Sequence, residues 1–235
     1  MRSIMVTVQY DGTEYFGFQR QPGRRTIQGE LEWALARITK EPVKVVGAGR
    51  TDAGVHALGQ VISFKTRGTI PTEKIPVALN SLLAKDIVAM DAAEVPLEFS
   101  ARRSAKSRLY RYLILNDRLP SVIFGRYSWY LPDELDLGVM RRAARSLVGI
   151  HDFTSFSAAD MDTESRVREL IKLAVRRSDE FIVFDLEANA FLHSMARNIV
   201  GTLVEVGQGR RKAAEVKKIL EAKDRRIAGK GDRDP

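Results

Sequence analysis

The chain has 235 residues, 44% hydrophobic and 29% charged, which suits one large globular domain or two compact ones. Thirty-eight Lys and Arg against 30 Asp and Glu leave a net charge of +8, favouring a polyanionic partner such as nucleic acid. The absence of Cys excludes disulfides and thiolate metal sites. No apolar run approaches the roughly 18 residues of a membrane span, and the N-terminus has no signal-peptide pattern. A reducing cytoplasmic home is the expectation.

In chain order, Ile4–Tyr10 alternates apolar and polar residues and predicts a strand running into an Asp11-Gly12 turn. Thr26–Thr39 places Ile27, Leu31, Ala34, Leu35 and Ile38 on one helical face, with Thr26 as its start. Val43–Val46 and Gln60–Lys65 read as strands flanking a glycine-rich loop at 47–59. Pro71–Leu83 reads as a helix and Ile87–Glu94 as a strand. The pattern then restarts. Ser107–Leu115 is a strand, Asp136–Leu147 a basic amphipathic helix, and Arg168–Arg177 with Phe181–Ala188 a hairpin. Two helices follow, Ala190–Val206 and the more polar Arg211–Lys223, and Ala228–Pro235 reads as a frayed end. This order predicts an α+β protein with mostly antiparallel sheets under helices.

The loop Gly47-Ala-Gly-Arg-Thr-Asp-Ala-Gly-Val-His-Ala57 carries the candidate chemistry. A dinucleotide fingerprint lacks its third glycine here, and Asp52 would repel a pyrophosphate. No Walker lysine follows. His56, His151 and His193 are too scattered for a metal pattern and read as structural histidines. What remains is a carboxylate in a glycine-flanked turn, Asp52, two residues after Arg50. On the residues alone it is either a turn cap or a catalytic group. Arg102, Arg103, Lys106, Arg108 and Arg111, interleaved with Tyr110 and Tyr112, form a basic and aromatic cluster suited to unstacked bases.

GAGRTDAGVHA resembles the signature of the TruA family of tRNA pseudouridine synthases. So do YDGTEYFGFQRQP at 10–22, TIQGELEWAL at 26–35, SRLYRYLI at 107–114, HDFTSFSA at 151–158 and FLHSMARNIVGTLVEVG at 191–207. The blocks follow the family's order and reach residue 227 or so. The resemblance implies two ferredoxin-like (RNA-recognition-like) halves, about 1–100 and 101–235, with sheets forming a central cleft and helices on the outer faces. It implies an isomerase that cleaves the uridine glycosidic bond, rotates the base and rejoins it through carbon at positions 38–40 of the tRNA anticodon arm. No metal or organic cofactor and a homodimer are further expectations, as is an anticodon stem-loop as the recognised part.

Carried over by position, Asp52 is the essential aspartate, Arg50 the arginine of its motif, Tyr110 the tyrosine that meets the target base, and Arg197 the basic partner of the aspartate. Detaching uracil leaves positive charge at C1′, which a carboxylate stabilises or traps, and the base must leave its stack to be reached. Phe153 and Phe156 are expected in the core. Ser100, Ser194 and Ala196 depart from the family's usual residues. Arg226–Pro235 replaces its Thr-Ala-Pro turn and final apolar strand, so a C-terminal half without that strand is the expectation. This departure leaves a non-catalytic RNA-binding or chaperone homologue as the alternative. A metal-dependent nuclease around Asp52 and His56 is a third, poorly supplied with ligands.

Overall fold

The computed structural model describes residues 1–158, 165–229 and 231. It divides into two compact units, Met1–Ala105 and Lys106–Pro235. Both are α+β, and each has its own sheet and its own core.

The first unit runs β1 (Arg2–Tyr10), α1 (Ile27–Thr39), β2 (Val46–Gly47), β3 (Ala57–Thr66), α2 (Ile75–Asn80), β4 (Ile87–Val95) and the short α3 (Ala101–Ser104). Its sheet order is β2-β3-β1-β4, antiparallel throughout. Up to β4 this is the β-α-β-β-α-β order of ferredoxin-like units. Alternation along β1 turns Ile4, Val6, Val8 and Tyr10 inward, where they meet Ile27, Leu31, Ala34 and Leu35 of α1. Thr26 caps α1 by accepting the Gly29 N–H at 3.3 Å.

Two sequence expectations need correction in this unit. Val43–Val45 is not strand, although Val43 and Val45 are buried. The Val45 N–H donates to the Glu32 carboxylate at 3.1 Å, and the Gln28 amide donates to the Val45 carbonyl at 3.1 Å. Side chains of α1 thus take the backbone groups that a strand neighbour would use. The helix expected over Pro71–Leu83 is a 3-10 turn, Thr72–Lys74, followed by α2. Pro76 opens α2, since its missing N–H costs nothing in a first turn. Asn80 closes it by exchanging two hydrogen bonds with the Ala89 backbone of β4, at 2.8 and 2.9 Å.

The second unit contains β5 (Arg108–Leu115), β6 (Trp129–Tyr130), α4 (Leu137–Ala144), β7 (Gly149–Asp152), β8 (Val167–Ser178), β9 (Phe181–Ala188), α5 (Met195–Gly207) and α6 (Ala213–Ala222). Its sheet order is β6-β5-β9-β8-β7; only the short β5–β6 pair, at Ile114–Trp129 and Leu115–Tyr130, is parallel. Ile114, Ile182, Phe184 and Leu186 pack under α4, α5 and α6 around Phe153 and Phe156, both fully buried. Asp136 caps α4 through the Val139 N–H at 3.0 Å.

Here too the helix limits contract. The helix expected from Ala190 begins at Met195, because Ser194 sits in the left-handed region with φ 61° and the His193 carbonyl is taken by the Ala158 N–H. The one expected over Arg211–Lys223 is α6, stopped by Lys223 at φ 52°. The fraying expected over Ala228–Pro235 is corrected for its first two residues. Ala228 is buried, and the Gly229 N–H donates to Thr202 Oγ1 of α5 at 2.9 Å. The rest of that segment, residue 231 apart, lies outside the described residues.

Candidate functional site

Asp52 lies on the loop joining β2 to β3, with its side chain exposed beside the equally exposed Arg50. Between them Thr51 is buried. The β2–β3 pairing ends at Gly47–Ile62, and the Ala48 N–H still reaches the Val61 carbonyl at 2.8 Å. Gln60 then holds the next residue from both sides: its side chain accepts the Gly49 N–H at 3.3 Å and donates to the Gly49 carbonyl at 3.0 Å. A short loop with this many tethers presents its side chains on a fixed backbone.

The remaining tethers come from the segment between β1 and α1. The Phe18 N–H donates to the Thr51 carbonyl at 2.9 Å, the Gly54 N–H donates to the Tyr15 carbonyl at 3.3 Å, and the hydroxyls of Tyr10 and Thr51 are 2.9 Å apart. Two glycines permit the approach. Gly17 has φ +82°, and a Cβ there would lie 2.8 Å from the Thr51 carbonyl oxygen and 3.2 Å from the Asp52 carbonyl carbon. At Gly12 a Cβ would collide with the Val55 carbonyl. The same segment also serves α1, whose first N–H groups at Ile27 and Gln28 donate to the carbonyls of Gly17 and Phe18 at 3.2 and 2.9 Å. The loop and the helix start are therefore built on one piece of backbone.

Burial raises the pKa of the Tyr10 phenol, against the lowering effect of its bond to Thr51. Tyr15 is raised further, first by burial and then by its hydrogen bond to the Asp86 carboxylate, 2.6 Å away. Both phenols therefore stay neutral beneath the loop. His56 Nδ1 lies 3.0 Å from the Asp11 carboxylate and 3.1 Å from the Gly12 backbone nitrogen. Its proton decides which it serves: protonated Nδ1 donates to Asp11, and bare Nδ1 accepts from Gly12. This is structural work of the kind expected for a loop histidine. His151 likewise bonds the Val148 carbonyl at 3.1 Å. Among the described residues no group of three or more His, Asp or Glu could hold a metal ion.

Arg102 and Arg103, both exposed, lie on α3, which packs against β2 and β3. The Ala101 N–H fixes it there by donating to Ser63 Oγ at 3.0 Å, and Ser63 is the register partner of Val46. The first unit thus carries Arg50, Asp52, Arg102 and Arg103 on one strand pair and its attachments.

Lys106, Arg108, Tyr110 and Arg197 belong to the second unit. Tyr110 alternates with Arg111 on β5 and pairs with Leu186, facing the core side. Its ring meets Phe191 edge-on, with centroids 4.8 Å apart. Phe191 begins the turn that leads into α5, where Arg197 occupies the first turn, half-buried. Arg108 donates to the Asn189 carbonyl at 2.6 Å, and Lys106, exposed, precedes the strand. Within this unit Tyr110, Phe191 and the start of α5 form one cluster.

Residues that sequence reasoning did not single out are Tyr10, Gly12, Tyr15, Gly17 and Gln60. Their signal was available only as a motif, YDGTEYFGFQ, with nothing local to say that it backs a loop tens of positions further on, as the Phe18–Thr51 and Tyr10–Thr51 bonds do.

A family model described as tRNA pseudouridine synthase matches residues 6–102 and 143–231. The chain is 48% identical over 230 residues to tRNA pseudouridine synthase A of Caldicellulosiruptor saccharolyticus, covering 98% of this chain and 94% of that protein. It is 48% identical to the protein of the same name from Moorella thermoacetica, covering 97% and 94%, and 46% identical to that of Halalkalibacterium halodurans, covering 98% and 88%. With both units matched and the Asp52 loop inside the first matched stretch, the chain belongs to the tRNA pseudouridine synthase family.

Proposed function

We propose that this chain isomerises uridine to pseudouridine in tRNA, with Asp52 as the carboxylate that acts at C1′ of the target nucleotide. The observation that carries the reading is the loop itself: an exposed carboxylate on a backbone tethered from Gln60, Tyr15 and Phe18. Such tethering suits a group that must meet a developing positive charge without first reorganising. No water needs activating, because the detached uracil itself returns to the sugar, so one carboxylate is enough.

In this reading the target base leaves its stack. Arg50 fills the vacated space or holds the flipped phosphate. Tyr110 lies against the uracil, and Arg197 is the cationic partner of Asp52. Arg102, Arg103, Lys106 and Arg108 contact phosphates. The substrate element is the anticodon stem-loop, with uridines 38–40 as targets, and the working form is a cytoplasmic homodimer. The non-catalytic alternative is not favoured, since the family model and relatives 46–48% identical over nearly the whole chain are all named tRNA pseudouridine synthase.

The test is pseudouridine mapping of unmodified tRNA after incubation with the full chain and with Asp52→Ala. Wild type is expected to modify the anticodon arm. The variant should bind tRNA with unchanged affinity and lose at least about 10³-fold in rate. Substantial product from Asp52→Ala removes that residue from the chemistry.

A further inference from the structure

Two adjacent aromatic residues precede Gly17, and each carries an arginine over its ring. Tyr15 is buried, and the Arg25 guanidinium lies 4.3 Å from its centroid, neutralised by Glu30 and Asp86 at 3.4 Å each. That ring is part of the core, with its arginine at the surface. Phe16 is different. It is 47% exposed, and the exposed Arg24 lies 4.3 Å from its ring centroid. No ion pair between Arg24 and a carboxylate is found among the described residues.

The platform is built rather than incidental. The Phe16 N–H donates to the Arg25 carbonyl at 2.9 Å, and the Gln21 side-chain amide donates to the Phe16 carbonyl at 2.8 Å. The Arg24 N–H donates back to the Gln21 carbonyl at 3.3 Å, closing the turn that returns the arginine over the ring. Both backbone groups of Phe16 are thus used, so the backbone that carries the ring is ordered before any ligand arrives. Its neighbour Gly17 leaves no room for a Cβ against the Thr51 and Asp52 carbonyl groups, so the platform is one residue removed from the candidate catalytic loop.

A large apolar ring left half in water forgoes about half of the stabilisation that full burial would give. A planar aromatic with a guanidinium stacked on it is instead what unpaired nucleobases bind, through π-stacking and cation–π attraction. Of the three arginines in the surrounding stretch, Glu14–Arg25, Arg20 pairs with Glu32 and Arg25 with Glu30 and Asp86, so Arg24 is the cation whose charge is left to meet RNA. We propose that Phe16 and Arg24 form a base-binding subsite, which stacks an unpaired base of the RNA strand that presents the target uridine to Asp52. The subsite rests on the reading of Asp52 given above and extends it from the reacting nucleotide to a neighbour.

The test uses the full chain. Phe16→Ala should raise KM for tRNA by roughly tenfold, the scale of removing one base–aromatic stack, with kcat within twofold. Phe16→Trp should restore KM, and Arg24→Gln should give a smaller rise. In the Asp52→Ala background, an anticodon stem-loop with 5-iodouridine beside the target should photocrosslink to Phe16 in peptide mapping. A KM for Phe16→Ala equal to wild type, or a crosslink map without residues 14–25, overturns the subsite. If the Asp52→Ala chain crosslinks at Phe16 yet wild type forms no pseudouridine, the isomerase reading fails while the subsite stands.

Discussion

The two units present their candidate site residues in opposite ways. In the first, Arg50 and Asp52 stand on a loop, and their positions depend on backbone tethers from residues 15–18 and from Gln60. In the second, Tyr110 and Arg197 stand on a strand and a helix whose own hydrogen bonds hold them, packed over one hydrophobic core. A loop can bring a carboxylate out on backbone with few side chains around it, but only if other backbone supports it. Regular elements need no such support. Disturbance of a neighbour should therefore be felt more in the first unit than in the second.

The strongest way to break that contrast is at Gly17. Gly17→Ala places a methyl where φ is +82° and the Thr51 carbonyl oxygen is 2.8 Å away. The expected cost is about 1–3 kcal/mol of stability, read as a lowered denaturation midpoint, with kcat falling by more than tenfold while KM changes little. A variant with unchanged kcat would show that the loop holds its geometry without the segment before α1.

A smaller effect sharpens the role of α3. Replacing Arg102 and Arg103 together by Ala should weaken tRNA binding and reduce the slope of log affinity against log salt by about two, one for each phosphate no longer neutralised. Unchanged affinity and slope would remove α3 from the RNA surface.

The smallest effect belongs to the regular sheet of the second unit. Arg111 donates to Asp185 across β5 and β9 at 2.7 and 3.2 Å, and this bond holds the Asp185 carboxyl below its ordinary pKa. A folded pKa below the unfolded one means that the contribution is present above about pH 4 and is lost as pH falls through the folded value. Asp185→Asn should cost under about 1 kcal/mol near neutrality, as the Arg111 side chain is about half exposed and solvent screens the pair. The difference from wild type should shrink in acid denaturation as the pH falls through the lowered pKa of Asp185. A difference that persists there would assign the effect to packing instead of charge.

Much of the fold was legible. Alternation located β1, β3, β4, β5 and the β8–β9 hairpin to within a few residues, and the 3.6-residue period located α1 and α4. The errors share one cause. Val43–Val45, Pro71–Leu83 and Ala190–Ser194 all carry apolar residues at plausible spacings, and most of these are buried or half-buried. Yet Glu32 and Gln28 claim the backbone of Val45, Asn80 stops α2 against β4, and Ser194 turns left-handed before α5. Periodicity reports which side chains face a core. It does not report which distant groups satisfy the backbone.

The same division holds for function. Sequence alone determined the net positive charge, the absence of thiols and the glycine-flanked Asp52, and its motifs carried the resemblance to a family of RNA-modifying enzymes. Only the tertiary structure decided that Tyr10, Tyr15, Gly17 and Phe18 hold the Asp52 loop, and that Arg25 is neutralised over a buried ring while Arg24 covers an exposed one. The reason is that hydrogen bonds and stacks of this kind join residues tens of positions apart or set neighbours in opposite environments. Local pattern carries no record of either, because both are consequences of how the chain closes on itself.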